Sequence, residues 1–166
     1  MTFCRAPVEV VRTITKVKTV MVEAPIAVAP LTVHEWSNLL AELTDRLEAL
    51  GHVVRLTFEP GDTPVGAEMR RIVLSPETGE LSHRTEVLLY AADKAEHVDQ
   101  VVLPALADGF VVLTDRYVDS TLAYQGAGRH LDIAEVEHVA RSATSSLRPH
   151  LAVVLDLDPT IGHARF

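Results

Sequence analysis

The sequence predicts an α/β fold: a parallel sheet with helices on both faces. Three observations carry this. Phe110–Asp115 (F-V-V-L-T-D) and Leu151–Asp156 (L-A-V-V-L-D) are short apolar runs that read as buried strands, and each ends in an acid. Helix-periodic segments precede and separate them. Turn residues such as Glu59-Pro60-Gly61-Asp62 and Ser75-Pro76-Glu77-Thr78-Gly79 punctuate the chain between these periodic stretches. Parallel strands need helical crossovers, and strands buried on both faces show continuous rather than alternating apolar character.

Thr32-Val-His-Glu35 has the form of a capping box. Trp36, Leu39, Leu40, Leu43, Leu47 and Leu50 follow at helical spacing, and Gly51 stands where a C-terminal cap belongs. This predicts a helix over 32–50. His52–Thr57 reads as a strand leading into the Glu59–Pro64 turn, and Val65–Leu74 as a helix. Ser82–Ala107 reads as helical, in two pieces that bend near His97. Tyr117–Tyr124 and Asp132–Ser145 also read as helices, and Pro159 suits the first turn of a last one.

The N-terminal segment differs in kind. Residues 1–30 carry four basic groups against two acids, whereas the whole chain of 166 residues has a net charge of −8. Val17–Val22 reads as a strand that Pro25 and Pro30 restrict to a short or edge position. The apolar window Thr19–Leu31 is interrupted by Glu23, Pro25 and Pro30, so it predicts neither a membrane span nor a signal peptide. The expected location is cytoplasmic. Residues 1–31 are therefore set apart from a domain spanning 32–166.

Composition excludes several function classes. With 48% hydrophobic and 23% charged residues the chain is globular rather than disordered. The negative charge argues against nucleic acid or anionic lipid as partner. The one cysteine, Cys4, excludes an internal disulfide and a cysteine-based zinc site. The eight histidines show no H-x-x-x-H or H-E-x-x-H spacing, which disfavours a metal-dependent hydrolase. The first of the eight glycines is Gly51, so no glycine-rich phosphate-cradling loop precedes it. In parallel sheets ligands bind beyond the carboxyl ends of the strands. The Glu59 turn, Asp115-Arg116 and Asp156–Asp158 are the groups at such ends.

Several segments carry a family resemblance. Leu47-Glu-Ala-Leu-Gly-His52, Thr57-Phe-Glu-Pro-Gly-Asp-Thr63 and Glu86-Val-Leu-Leu-Tyr-Ala-Ala-Asp-Lys-Ala95 are three of them. The fullest is Asp115-Arg-Tyr-Val-Asp-Ser-Thr-Leu-Ala-Tyr-Gln-Gly-Ala-Gly-Arg129. Leu147-Arg-Pro-His-Leu151 and Leu155-Asp-Leu-Asp-Pro159 complete the set. In this order, from about Leu39 onward, the chain resembles thymidylate kinase, a P-loop nucleoside monophosphate kinase. The resemblance implies transfer of the γ-phosphoryl group of ATP to dTMP, with Mg²⁺, in a cytoplasmic homodimer.

It also implies site residues. Tyr90 matches the ring that stacks on thymine, and Lys94 stands at the place of the arginine that holds the base. Lysine keeps that charge but loses the rigid fork. Thr121 and Gln125 match the pair that reads the pyrimidine edge. Arg116 matches the arginine that grips the acceptor phosphate, with Arg70 as a possible second cation there. Asp115 would hold magnesium-bound water or balance Arg116. Glu59 matches the turn acid near the acceptor phosphate and magnesium.

The chain departs from the family at the donor side. Where the family has G-x-x-x-x-G-K-[ST], this sequence has Ala24-Pro-Ile-Ala-Val-Ala-Pro-Leu-Thr-Val-His34, without glycine or lysine. Proline lacks the N–H such a loop needs, and β-branched residues resist its positive-φ turns. Phe58 replaces the turn's arginine, and the sequence ends at Phe166, where the family continues into its lid. The expectation is a sheet incomplete at both ends and severely reduced kinase activity. The alternative is a non-catalytic remnant or pseudo-kinase that retains dTMP or partner binding.

Overall fold

The computed structural model describes residues 21–24 and 33–153. The capping-box residue Thr32, the loop-equivalent stretch 25–32, Asp156, Asp158 and the helix expected after Pro159 lie outside the described residues.

Among the described residues four parallel strands form one sheet: β1 (Met21–Ala24), β2 (Val54–Phe58), β3 (Val111–Asp115) and β4 (Leu151–Ala152), in the order β2-β3-β1-β4. The helices are α1 (Val33–Ala49), α2 (Pro64–Leu74), α3 (His83–His97), α4 (Leu103–Ala107), α5 (Val118–Thr121) and α6 (Ile133–Ala143). β1 is short, as its prolines imply, but it is not an edge strand. Met21–Ala24 pairs with Val112's neighbourhood on β3 on one side and with β4 on the other. The N-terminal segment thus supplies an inner strand of the sheet.

Side-chain alternation on β3 explains the two helix layers. Val111 and Leu113 point to one face, where they pack with Leu43 and Leu47 of α1. Val112 points to the other, against Val98, Val102, Ala105 and Tyr117. The strand is buried on both faces, which is what its unbroken apolar run requires. The α1 stripe holds at Leu40, Leu43 and Leu47, which are buried, whereas Leu50 is exposed. Leu50 lies past the last helical turn, where Gly51 adopts φ +86°. There Gly51 N–H donates to Glu48 and His52 N–H to Leu47, the paired bonds of a glycine C-cap.

The expected bend near His97 is a π-helical turn, Val98–Val102, between α3 and α4. A second π-helical turn, Leu122–Ala127, follows α5. Insertions of this kind reorient the helix face beyond them and are frequent at functional sites.

Leu47 is fully buried between α1 and the sheet. Leu47→Ala is expected to cost about 3 kcal/mol, from lost burial and the cavity left behind. Urea unfolding with an unchanged denaturant slope is the measurement.

Candidate active site

β2 and β3 end side by side. Phe58 lies opposite Asp115 in register, and the next amide, Glu59 N–H, donates to the Asp115 carbonyl at 3.0 Å. Two of the three strand-end groups singled out from sequence therefore meet. A cleft of about 700 Å³ opens above them, within the range of small-molecule sites. Glu59, Arg70, Tyr90, Lys94, Asp115, Arg116, Thr121 and Gln125 all line it.

The cleft has a cationic end. Arg70 on α2 donates to the Pro60 carbonyl at 2.7 Å, and its guanidinium carbon sits 5.8 Å from the centre of the Phe58 ring. Arg116 lies over Tyr124, 5.2 Å from its ring centre. Among the described residues neither guanidinium forms a salt bridge, and both arginines line the cleft. Arg116 adopts φ +71°, a left-handed conformation unusual for a side chain of this size. The Thr114 hydroxyl donates to the Arg116 carbonyl at 2.9 Å and helps hold this turn.

Another part of the lining is polar. Thr121 and Gln125 are buried there, on α5 and the π-helical turn after it. Gln125 Nε2 donates to Glu86 Oε1 at 2.7 Å, while Arg129 pairs with Glu86 Oε2 at 3.2 Å. Tyr90 lies on α3, one turn on from Glu86. Burial and the Glu86 charge push its hydroxyl's pKa up, while Arg116 and Arg70 pull it down.

Lys94 lines the cleft, but its ammonium bonds Glu59 Oε2, and it lies 5.9 Å from the Tyr117 ring centre. Glu59 also accepts from His97. Burial alone would raise the Glu59 pKa; the Lys94 charge and the His97 hydrogen bond outweigh it and hold the carboxyl below its ordinary value.

Asp93 is buried beside this pair. Its Oδ1 accepts from Gly61 N–H at 2.9 Å, and Oδ2 has no partner among the described residues. Gly66 is a glycine for this reason: a Cβ there would stand 2.4 Å from Asp93 Oδ1. Burial, then the Glu59 charge, pushes Asp93 up to about 6.

Glu86, Tyr124, Arg129, Asp93 and His97 were not singled out from sequence. Glu86 and Arg129 close the ends of quoted motifs. Asp93 and His97 share the helical spacing of Glu86, Tyr90 and Lys94, and that spacing was the available signal.

A family model described as thymidylate kinase matches residues 37–166. The chain belongs to the thymidylate kinase family. The thymidylate kinase of Cutibacterium acnes is 56% identical over 115 residues, covering 69% of this chain and 55% of that protein. That of Leifsonia xyli is 53% identical over 126 residues, covering 75% and 60%. The chain thus spans little more than half the length of these relatives. Among solved structures, the thymidylate kinase from Ehrlichia chaffeensis superposes with a TM-score of 0.73 at 25% identity, over 90% of this chain and 82% of that one.

Two outcomes follow from the geometry. Folded Asp93 takes up a proton at higher pH than the unfolded chain, whose carboxyl titrates near 3.8, so its ionisation weakens the fold as pH rises from about 4 to about 6. The stability of the wild type relative to Asp93→Asn should fall by up to about 3 kcal/mol across that window, read by urea unfolding at each pH. Arg116→Gly should be more stable than Arg116→Ala by about 1 kcal/mol, because only glycine adopts the left-handed turn without strain. Thermal melts of the two variants decide this.

Proposed function

We propose that the cleft binds dTMP as phosphate acceptor, and that phosphoryl transfer from ATP by this chain is severely reduced. The single observation carrying the reading is the cleft itself, which brings the guanidiniums of Arg70 and Arg116 together with Tyr90 and a Thr121–Gln125 pair.

In this reading Arg116 and Arg70 hold the acceptor phosphate, whose oxygen attacks the γ-phosphorus of ATP as its bond to ADP breaks. The family's chemistry consists mainly of such positioning and charge neutralisation. The Tyr90 ring stacks on the base, and Thr121 and Gln125 meet its polar edge, an amide being able to donate and accept at once. Lys94 acts through Glu59 rather than as a free cation on the base. Asp115 is a hard oxygen donor at the strand end and lines the cleft. That suits Mg²⁺, which takes one or two carboxylates with waters and substrate phosphates. Asp115 would hold it, and the ion would offset phosphate charge.

The donor side favours the second reading, a protein that binds dTMP without turning it over. Ala24–His34 offers neither the glycines nor the lysine that cradle a nucleoside triphosphate. Each lost donor of this kind costs about 10²–10³-fold in rate. A homodimer and a cytoplasmic location are part of the same proposal. No helix among the described residues is long and apolar enough to cross a membrane.

Titration calorimetry and a coupled ADP-release assay test this. dTMP should bind, Arg116→Ala should weaken it about tenfold or more, and ATP should bind poorly with turnover far below an ordinary kinase rate. Ordinary turnover or tight ATP binding overturns the donor-side account. Failure of dTMP to bind overturns the acceptor-side one.

A further inference from the structure

The buried side of Glu59 carries a row of hydrogen bonds that the proposed chemistry does not use. Arg55 Nη2 donates to Asp62 Oδ2 at 2.9 Å. The Thr57 hydroxyl donates to the same oxygen at 2.5 Å. Thr57 Oγ1 lies 2.6 Å from His97 Nε2, and His97 Nδ1 lies 2.8 Å from Glu59 Oε1. Glu59 Oε2 takes the Lys94 ammonium. Thr57, His97, Glu59 and Lys94 are all buried, whereas the Arg55–Asp62 pair at the end of the row is partly exposed.

We infer that His97 is a positioning residue held as an imidazolium, both of its ring N–H groups donating, and that it clamps Glu59 as a fixed carboxylate beneath the cationic end of the cleft.

Counting protons leads there. A threonine hydroxyl has one proton, and Thr57 gives it to Asp62. The same Asp62 oxygen accepts from the Arg55 guanidinium, so it stands as the acceptor toward Thr57. Only lone pairs of Thr57 therefore face Nε2, so Nε2 must carry hydrogen. Glu59, with the Lys94 ammonium on its other oxygen, is also an acceptor only, so Nδ1 must carry hydrogen too. Neutral imidazole has one N–H; two require the cation. A neutral ring would set lone pair against lone pair in a buried space, where an unmade bond is costly. Charge agrees. Against His97 and Lys94 on α3 stand Glu59 from the turn and Asp93 from the same helix. Beyond Thr57 on β2, the Asp62–Arg55 pair closes the row.

With both Glu59 oxygens engaged, Glu59 anchors Lys94 and the turn that carries Pro60, to which Arg70 is bonded. His97 thus acts on the cleft at second hand. That consequence rests on the dTMP reading; the ring's protonation does not.

The test uses the full chain with ¹⁵N-labelled histidine. Long-range proton–nitrogen correlation at pH 7 should show both His97 nitrogens in the protonated range, the signal being identified by its loss in His97→Gln and by its shift in Thr57→Ser, which serves if the first variant does not fold. One unprotonated His97 nitrogen overturns the inference. Thr57→Ser should retain the doubly protonated signature and Thr57→Val should lose it; a Val variant that retains it overturns the part given to Thr57. His97→Gln, melting cooperatively, should weaken dTMP by about tenfold, and unchanged affinity overturns the positioning role. If the wild type itself fails to bind dTMP, the acceptor reading falls, and the nitrogen shifts alone decide the inference.

Discussion

The cleft depends on one constraint: two neighbouring parallel strands end at the same level. Because Phe58 is in register with Asp115 and the Glu59 amide completes the ladder, the turn after β2 and the turn after β3 open on the same side of the sheet. Arg116 enters from one turn, and Glu59 and the α2 arginine Arg70 from the other. A slip of one residue would flip β2's side chains to the opposite face. Thr57 would then lose His97, and the carboxylate row beneath the cleft could not form.

The α3 helix turns that constraint into a site. Glu86, Tyr90, Lys94 and His97 recur every three or four residues and so share a face. The outer members, Glu86 and Tyr90, line the cleft; His97 lies wholly within the buried row, and Lys94 belongs to both. Burying Glu59 is expensive unless each charge is paired and hydrogen-bonded. Here Glu59 comes from the turn after β2 and its partners Lys94 and His97 from α3, so the charge cluster stands only when those elements are docked. The cluster's contribution is one of orientation, since an apolar core would meet no comparable desolvation cost.

The two parts of the cleft lining solve different physical problems. At the cationic end, a carbonyl and two aromatic rings help hold the guanidiniums in place. In the polar part, one carboxylate, Glu86, ties Gln125 and Arg129 together and neutralises the latter. The left-handed turn at Arg116 is strain of the kind that collects at functional sites, and Thr114 offsets part of it.

Sequence alone determined the layering. The unbroken apolar run of β3 requires helices on both faces, the leucines of α1 and the glycine after it define that helix, and Glu59 and Asp115-Arg116 stand at strand ends whatever the rest of the chain does. All eight residues that the strand ends and the family resemblance singled out for the site line the cleft, and within each element helical and strand periodicity sets which side chains share a face. Tertiary structure decided what those periodicities cannot express. Of the short or edge position that its prolines allowed, it chose the short one: Met21–Ala24 lies inside the sheet, and the paired strand ends before Pro25. It turned Lys94 onto Glu59 and joined His97 to Thr57 across 40 positions of chain. Such partners are set by the register of strands and the docking of helices, and a one-dimensional pattern carries no record of which distant residue completes a buried charge.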